Sequence, residues 1–221
     1  MQRKPLLIAF EGIDGSGKFT QASLLKKWLE EKTGKPVGVW AEPNDSSLIG
    51  KTIRAYLNKK TSFKIEPLEF QRMFVLDRAH NIFSFLHHNQ EGHDFKIADR
   101  YALSTIAFGM LSGRPAEDFI KLHNDVIGPS MVWPNLTIIL DISPETSISR
   151  IKARVPGFKE GIIAADINEN KSVQEKVRGH YLEIAKREDL GKTVVVNGER
   201  PPEDVFEDVK KVVAKHFALP A

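Results

Sequence analysis

Residues 8–21 read IAFEGIDGSGKFTQ, and this stretch decides the fold class. It continues an apolar run, LLIAF at residues 6–10, which predicts a strand buried on both faces of a parallel sheet. From Gly12 to Lys18 the letters fit G-x-x-x-x-G-K, and apolar residues at helical spacing follow directly. A strand, a glycine-rich loop and a helix in this order indicate the phosphate-binding loop of an α/β protein.

The chemistry of this loop suits a nucleotide phosphate. Its glycines allow successive backbone N–H groups to point at one anion, and the following helix adds a partial positive charge. Lys18 supplies a full charge for the outer phosphates. A glycine-rich turn that binds no ligand is the alternative, and the lysine argues against it. We therefore predict that ATP is bound by Gly12, Ile13, Asp14, Gly15, Ser16, Gly17, Lys18, Phe19 and Thr20.

Phe19 departs from the usual motif, which continues with serine or threonine. That hydroxyl normally reaches Mg²⁺, and a phenylalanine ring has neither a donor nor an acceptor to replace it. Thr20 is rotated by about 100° along the helix, so it cannot simply take over the role. Mg²⁺ needs only one or two protein carboxylates besides phosphates and waters. We predict that Asp14 and Asp99 supply these carboxylates.

The rest of the chain alternates strands with helices. Further strands are predicted at residues 36–40, 95–99, 136–142 and 192–198, and helices at residues 68–85, 103–111, 116–127 and 202–217. This order predicts one α/β domain over residues 1–221 with a three-layer P-loop NTPase fold, in which helices flank both faces of a parallel sheet. Glycine, proline and charged residues at 155–171 predict either a short lid, at about residues 150–171, or an ordinary irregular connection.

The composition limits the class of protein. The chain has 221 residues, 41% of them hydrophobic, which is enough for one ordinary core. A net charge of +3 is too weak to argue for nucleic-acid binding. The absence of cysteine excludes disulfides, thiolate metal sites and a cysteine nucleophile. No apolar stretch approaches the roughly 20 residues of a membrane span, so we expect a cytoplasmic protein that binds neither nucleic acid nor membranes.

Short segments along nearly the whole chain resemble the thymidylate kinase (dTMP kinase) family of P-loop nucleoside monophosphate kinases. FEGIDGSGK resembles the family's opening loop, EPNDSSLIGKTIRAYL its Glu-Pro segment, and FVLDRA its Phe-x-x-Asp-Arg element. IADRYALSTIAF is similar to its Asp-Arg-Tyr element, PNLTIILDISPE to the strand before the lid, and DINENKSVQEKVRGHYLEIA to the helix after it. Each piece is weak alone, but their order and spacing together are specific.

The resemblance implies a reaction, ATP + dTMP giving ADP + dTDP, with Mg²⁺ as the metal and a homodimer as the assembly. Such a transfer depends on positioning and charge neutralisation, which cationic side chains and Mg²⁺ supply. By the same resemblance, Phe74 would stack on thymine, Arg78 would hydrogen-bond the base edge and Arg100 would clamp the acceptor phosphate. The rest of the implied acceptor site is Glu42, Arg54, Ser104, Thr105 and Phe108.

The resemblance also implies a cationic residue that assists the transfer. Some dTMP kinases carry it in the phosphate loop and others in the lid, and the loop position here is Gly15. The lid candidates are Arg150, Lys152, Arg154 and Lys159, of which we favour Arg154. The loop VNGERP at residues 196–201 would receive adenine, with Arg150 on the other side of the base.

Simpler interpretations of these residues remain open. Phe74 could be a core aromatic, Asp99 and Arg100 could form a surface ion pair, and the basic lid residues could be a solvated face. The sequence also departs from the family pattern: Ala41 replaces an arginine before Glu-Pro, Phe108 lacks a tyrosine hydroxyl, and Asn44-Asp45-Ser46 replaces Gly-Gly-Thr. Losing one preorganised contact lowers a rate by on the order of 10²–10³.

Three functions therefore remain to be separated. The first is a dTMP kinase. The second is a deoxynucleoside kinase, in which Glu42 would act as a base on a 5′-hydroxyl, although Arg78 and Arg100 favour an acceptor that already carries phosphate. The third is a nucleotide-binding protein of weak activity, if Phe19 disables the metal site. Its affinity for ATP would be the same with and without Mg²⁺.

Overall fold

Five parallel strands form one sheet in the order β2–β3–β1–β4–β5 within residues 5–58, 64–87, 94–154 and 171–219, which the computed structural model describes. The strands are β1 (Leu6–Glu11), β2 (Gly38–Ala41), β3 (Phe95–Asp99), β4 (Leu136–Asp141) and β5 (Lys192–Asn197). The ends of each lie within two residues of the predicted bounds. The predicted parallel α/β sheet is thus confirmed.

Eight α-helices lie in the same described part of the chain. They are α1 (Lys18–Thr33), α2 (Leu48–Leu57), α3 (Pro67–Asn81), α4 (Ala102–Gly109), α5 (Ala116–Ile127), α6 (Pro144–Arg154), α7 (Lys171–Ile184) and α8 (Pro202–Phe217). The helix predicted at residues 68–85 ends earlier as an α-helix and continues as a π-helical turn, Ile82–His87. The one predicted at residues 103–111 is α4 followed by a single 3₁₀ turn. The apolar residues keep a helical spacing across both changes of helix type, so the sequence pattern did not indicate where the α-helices end.

Alternating residues of β1 place helices on both faces of the sheet. Leu7 and Ala9 belong to one buried cluster and Ile8 and Phe10 to another, because successive strand residues point to opposite faces. The first cluster continues into α3, α4, α5 and α7, and the second into α1 and α8. The result is the three-layer arrangement that the sequence predicts.

The carboxyl ends of three strands bring the predicted site residues to one edge. β1 lies between β3 and β4 and ends at Glu11, directly before the phosphate loop. In the sheet register Asp99, the last residue of β3, stands beside Phe10 of β1 and Ala41 of β2. Open α/β sheets usually bind ligands outside the carboxyl ends of their strands.

Most of the predicted lid falls on residues 155–170, which lie outside the described residues, as does Lys159. Arg154 ends α6, but its side chain is not among those that the structure describes. Within the described ranges, every helix falls short of the length or the apolar content that a bilayer span requires.

Candidate active site

Lys18 lies over the loop that precedes it. Its Nζ donates to the carbonyl oxygens of Gly12 and Ile13 at 3.1 and 2.9 Å and to Ser16 Oγ at 3.3 Å. The side chain is buried, and this burial together with the charge of Arg100 lowers the pKa of Lys18 to about 8. Phosphate oxygens would favour the charged form, so the position of this ammonium group suits an anionic ligand.

Two glycines let the phosphate loop run close to its neighbours. Gly12 has φ +134°, and a Cβ atom there would lie 2.6 Å from the carbonyl oxygen of Leu140 in β4. Gly15 has φ +76°, and its Cβ atom would lie 2.9 Å from the carbonyl oxygen of Ser147 in α6. A larger residue at either place would strain the backbone and collide with a carbonyl group. The loop therefore packs closely against the end of β4 and against α6.

Phe19 is 73% exposed at the start of α1 and borders a cavity of about 690 Å³, larger than a second cavity of about 380 Å³ beside the same loop. Because so little of its ring is covered, it contributes little to the hydrophobic core. Thr20 is also exposed, and it borders both cavities.

Asp14 is held from two sides. Arg100 Nη2 donates to its Oδ1, and Gln174 Nε2 donates to its Oδ2 at 3.0 Å. The N–H of Asp14 donates in turn to Gln174 Oε1 at 3.1 Å. Burial acts to raise the pKa of Asp14, but the charges of Arg100 and Lys18 outweigh it and leave that pKa below its usual value. Asp14 is thus an ionised carboxylate whose two oxygens already accept hydrogen bonds.

Asp99 differs from Asp14 in this respect. It borders the larger cavity, and within the described part of the chain no hydrogen bond occupies its carboxylate. The described residues also contain no cluster of three or more His, Cys, Asp or Glu side chains that could hold a metal ion by themselves. Of the two predicted metal ligands, Asp99 therefore offers the carboxylate that is free to bind.

Arg100 is bound at both its backbone and its side chain. It has a left-handed backbone, φ 67°, and its N–H donates to the carbonyl oxygen of Phe10 at 2.9 Å. Its Nη1 donates to the carbonyl oxygen of Gly12 at 3.0 Å, to Ser104 Oγ at 3.2 Å and to Tyr181 OH at 3.3 Å. A non-glycine residue adopts this backbone only where its surroundings hold it there. The guanidinium is therefore preorganised beside the phosphate loop.

Glu11 organises the start of α4 from β1. Its fully buried carboxylate accepts hydrogen bonds from the N–H groups of Tyr101 and Ser104 at 2.9 and 3.1 Å. It also accepts from Ser104 Oγ at 2.6 Å and from Tyr181 OH at 3.0 Å. An anion at a helix N-terminus satisfies otherwise unpaired N–H groups and the helix dipole. Glu11 thereby fixes the turn that contains Arg100.

A second buried network joins Glu42 to Arg78. Arg78 Nη2 donates to Glu42 Oε2 at 2.6 Å, and its Nη1 lies 3.1 Å from Thr105 Oγ1 and 2.6 Å from His123 Nε2. Burial raises the pKa of Glu42 to about 7, and the charge of Arg78 offsets this only partly. Arg78 is buried and does not line the cavity. It therefore lies behind the wall of the cavity, and its contact with the edge of a base stays a prediction.

These networks surround a cleft of about 690 Å³. Phe74 borders it and packs edge-on against Phe70, with ring centroids 5.2 Å apart. At another part of the wall, Arg54 Nε pairs with Asp45 Oδ1 at 3.1 Å. Every predicted acceptor-site residue except Arg78 lines this one cleft: Glu42, Arg54, Phe74, Arg100, Ser104, Thr105 and Phe108.

A smaller cavity of about 380 Å³ borders the same phosphate loop. On its wall, Arg150 Nη2 donates to the carbonyl oxygens of Gly198 and Glu199 at 2.9 and 3.3 Å, and Nη1 donates to that of Gly15 at 3.4 Å. The structure thus brings Arg150 to the loop at residues 196–201, which the resemblance implies would receive adenine. Three residues line both cavities: Gly15, Gly17 and Thr20.

Four residues that organise the site were missed by sequence reasoning: Glu11, His123, Gln174 and Tyr181. Glu11 directly follows the apolar run at residues 6–10, and a carboxylate between a buried strand and the glycine loop was a signal of a site residue. The other three lie on α5 and α7 at positions whose spacing is that of core residues. No local pattern distinguishes a buried polar side chain from an apolar one at such positions.

Comparison with known proteins is consistent with this geometry. A family model described as thymidylate kinase matches residues 10–209. The thymidylate kinase of Nitratidesulfovibrio vulgaris is 34% identical over 95% of this chain and 92% of its own length. The probable thymidylate kinase of Archaeoglobus fulgidus is 36% identical over 97% of both chains. The thymidylate kinase of Caldicellulosiruptor saccharolyticus is 34% identical over 95% of this chain and 96% of its own length.

Proposed function

The chain belongs to the thymidylate kinase family, and from this membership we propose that it transfers the γ-phosphoryl group of ATP to dTMP, giving ADP and dTDP for dTTP synthesis. The observation that carries the proposal is the shared wall of the two cavities. Gly15, Gly17 and Thr20 line both, so a donor in one cavity and an acceptor in the other would meet at the phosphate loop.

The donor would occupy the smaller cavity and the loop. Its adenine would lie between Arg150 and the loop at residues 196–201, which Arg150 already contacts at Gly198. Its phosphates would face the backbone of residues 12–20, and Lys18 would turn from the loop carbonyls to the outer phosphates. We keep Arg154 as the proposed cation of the lid that assists the transfer.

The acceptor phosphate would meet Arg100. Its guanidinium lies at the junction of the cleft and the phosphate loop, anchored by the carboxylate of Asp14 and the carbonyl of Gly12. A charge that is fixed before the substrate arrives stabilises the transferring group without reorganisation. Glu42 and Arg54 would border the same end of the cleft, and Phe74, Ser104, Thr105 and Phe108 would line the nucleoside portion, with Phe74 against the base.

The donor atoms of the site fit Mg²⁺. A hard cation that keeps several waters needs few protein ligands, and the Asp99 carboxylate is free of hydrogen bonds from described groups. When bound, the metal would neutralise charge on the β- and γ-phosphates. We propose Asp99 as its main protein contact. Asp14, whose oxygens are engaged by Arg100 and Gln174, would act on the metal mainly through its charge.

A deoxynucleoside kinase fits the geometry less well. It would need Glu42 as a free base, but that carboxylate accepts hydrogen bonds from Arg78, Asn81 and Trp40. The cation that is held at the phosphate loop, Arg100, suits an acceptor that already carries phosphate. These two observations favour a monophosphate as the acceptor.

The test is an assay of ADP formation with dTMP, dUMP, dGMP and thymidine, each with and without Mg²⁺. We expect Mg²⁺-dependent turnover that is greatest with dTMP. Turnover of thymidine above dTMP would indicate a deoxynucleoside kinase. An affinity for ATP that is the same with and without Mg²⁺, together with no turnover of any acceptor, would indicate a nucleotide-binding protein of weak activity.

We also propose a cytoplasmic homodimer, because the family forms dimers and the proposed substrates are cytoplasmic nucleotides. Sedimentation equilibrium measures the assembly directly. A mass near 24.9 kDa, that of one chain, at micromolar concentration would contradict the dimer.

A further inference from the structure

Gln21 lies in the first turn of α1, on the wall of the smaller cavity, and is only 2% exposed. Its Nε2 donates to the carbonyl oxygen of Pro202 at 2.9 Å. Because a carbonyl oxygen can only accept, this bond fixes which end of the amide is nitrogen. The other end, Oε1, is buried and has no hydrogen-bond partner in the part of the chain that the structure describes. A buried acceptor without a donor costs free energy, which an N–H group of a ligand would recover.

The backbone acceptors beside Gln21 are already engaged. The carbonyl oxygens of Gly198 and Glu199 accept from Arg150 at 2.9 and 3.3 Å. The carbonyl oxygen of Pro202 accepts from Gln21 itself. All of these residues line the smaller cavity. In contrast to these oxygens, Gln21 Oε1 still lacks a donor, so it is available to a ligand.

A second buried atom among the described residues of this wall also lacks a partner, the Nε of Arg200. The Nη2 of the same guanidinium donates to Asp208 Oδ2 and to the carbonyl oxygen of Asn197. The wall thus presents an unpaired acceptor on Gln21 and an unpaired donor on Arg200. A ligand that satisfies both must carry a donor and an acceptor. The edge of adenine carries both, since its 6-amino group donates and its ring nitrogens accept.

We propose that Gln21 is a specificity-determining residue for the phosphoryl donor, whose Oε1 accepts a hydrogen bond from the 6-amino group of adenine. The inference rests on the proposed function, which puts ATP in the smaller cavity. Hypoxanthine and guanine carry an oxygen at position 6, which would face Oε1 and leave two acceptors without a hydrogen between them. Gln21 would therefore select ATP over ITP and GTP.

The position of Gln21 on α1 suits this role. Thr20 lines both cavities, and Gln21, the next residue, lines the smaller one. The first turn of α1 thus leads from the phosphate loop to the proposed adenine site. Oε1 is covered by neighbouring atoms, but the last torsion of a glutamine side chain is soft. A small rotation of the amide would turn the oxygen toward a base in the cavity.

The first experiment measures nucleotide affinities of the wild-type enzyme by calorimetry at one fixed Mg²⁺ concentration. Purine riboside triphosphate lacks the 6-amino group of ATP and is otherwise the same, so it should bind about 10-fold more weakly. ITP places an acceptor at position 6 and should bind more weakly still. Equal affinities for ATP and purine riboside triphosphate would overturn the inference without any variant.

The second experiment combines changes in the protein with changes in the nucleotide. Gln21→Leu removes the acceptor, so the ratio of the affinities for ATP and purine riboside triphosphate should fall from about 10 to about 1. Loss of the bond to Pro202 would weaken both nucleotides equally and leave this ratio unchanged. Gln21→Glu loses that bond as well but keeps an oxygen acceptor, so it should retain most of the preference for ATP.

Thr33→Val is the matched control for these variants. It also removes a side-chain donor from a backbone carbonyl, that of Leu29 at 2.7 Å, but at the far end of α1. The ratio of the two affinities should stay near that of the wild type.

Different results would overturn the two proposals. Mg²⁺-dependent transfer to dTMP without any preference for ATP over purine riboside triphosphate would support the proposed function and overturn this inference. A preference that persists in Gln21→Leu, or that is lost in folded Gln21→Glu, would also overturn it, because another group would then read the base. A preference that Gln21→Leu abolishes, in an enzyme that transfers nothing to dTMP, would support this inference and overturn the proposed acceptor.

Discussion

Arg78 Nη2 lies 2.6 Å from Glu42 Oε2, and both side chains are buried where β2 meets α3. Burial raises the pKa of Glu42 to about 7, above its ordinary value of 4.5. The folded state therefore retains a proton that the unfolded chain releases between these two values. Stability from this group is complete below about pH 4.5 and is lost as the pH rises through 7, by about 1–3 kcal/mol.

Urea unfolding at pH 5 and at pH 7.5 checks this prediction. The wild type should lose more free energy of unfolding over that interval than Glu42→Gln, which cannot titrate. Comparing the two proteins cancels the other titrating groups, including Lys18. An equal pH dependence in both would show that Glu42 is already ionised at pH 5 in the folded protein.

Lys18 should be essential for turnover and dispensable for folding. Replacing it by alanine removes the positive charge that we propose turns from the loop carbonyls to the outer phosphates, so we expect kcat to fall by at least about 10²–10³. The lowered pKa of Lys18 shows that burial of the charged form is unfavourable, so the variant should unfold at no lower temperature than the wild type. Lys26→Ala, which removes an ammonium paired with Glu30 further along α1, is the control and should keep full activity.

Phe19→Thr restores the hydroxyl that phosphate loops usually present to Mg²⁺. We expect tighter Mg·ATP binding and an unchanged preference among acceptors. Because the Phe19 side chain is 73% exposed, its loss should change the free energy of unfolding by no more than about 0.5 kcal/mol. Titration of ATP with and without Mg²⁺ measures the first effect. Lower activity would reveal a contact of the ring with a bound nucleotide.

The strand and loop pattern around residues 8–21 was enough to predict the fold, because buried parallel strands are continuous apolar runs and the glycine loop has a fixed place between strand and helix. The strand predicted at residues 95–99 likewise put Asp99 and Arg100 at the carboxyl end of a strand, and in the structure they lie there beside Phe10. The partners of these residues could not be predicted. Gln174 reaches Asp14 across 160 positions of sequence, and Tyr181 reaches Glu11 across 170. Such pairings depend on how the helices dock, which periodicity does not specify.

Arg78 is a second residue whose partners the sequence could not reveal. Its place one turn after Phe74 suggested a side chain in the cleft, since buried arginines are rare without partners. The partners exist, but they come from the residue after β2, from α4 and from α5, and they hold the guanidinium behind the cavity wall. The sequence therefore predicted that Arg78 lies near the cleft, but it could not predict the hydrogen bonds that bury its side chain.

Asp14 and Asp99 form a matched pair, because both are carboxylates near the phosphate loop and, among the described residues, only Asp14 accepts side-chain hydrogen bonds. Asp14→Asn removes the charge that anchors Arg100, so dTMP should bind about 10-fold more weakly even without metal. Asp99→Asn leaves that anchor intact and removes the free carboxylate. It should instead raise the Mg²⁺ concentration for half-maximal rate by about 10-fold, with metal-free dTMP binding unchanged. Calorimetry and a Mg²⁺ titration of the rate measure the two effects.

If Asp14→Asn shifted the metal requirement and Asp99→Asn did not, Asp14 would be the principal metal ligand. Its carboxylate would then have to exchange Arg100 or Gln174 for the metal during the catalytic cycle.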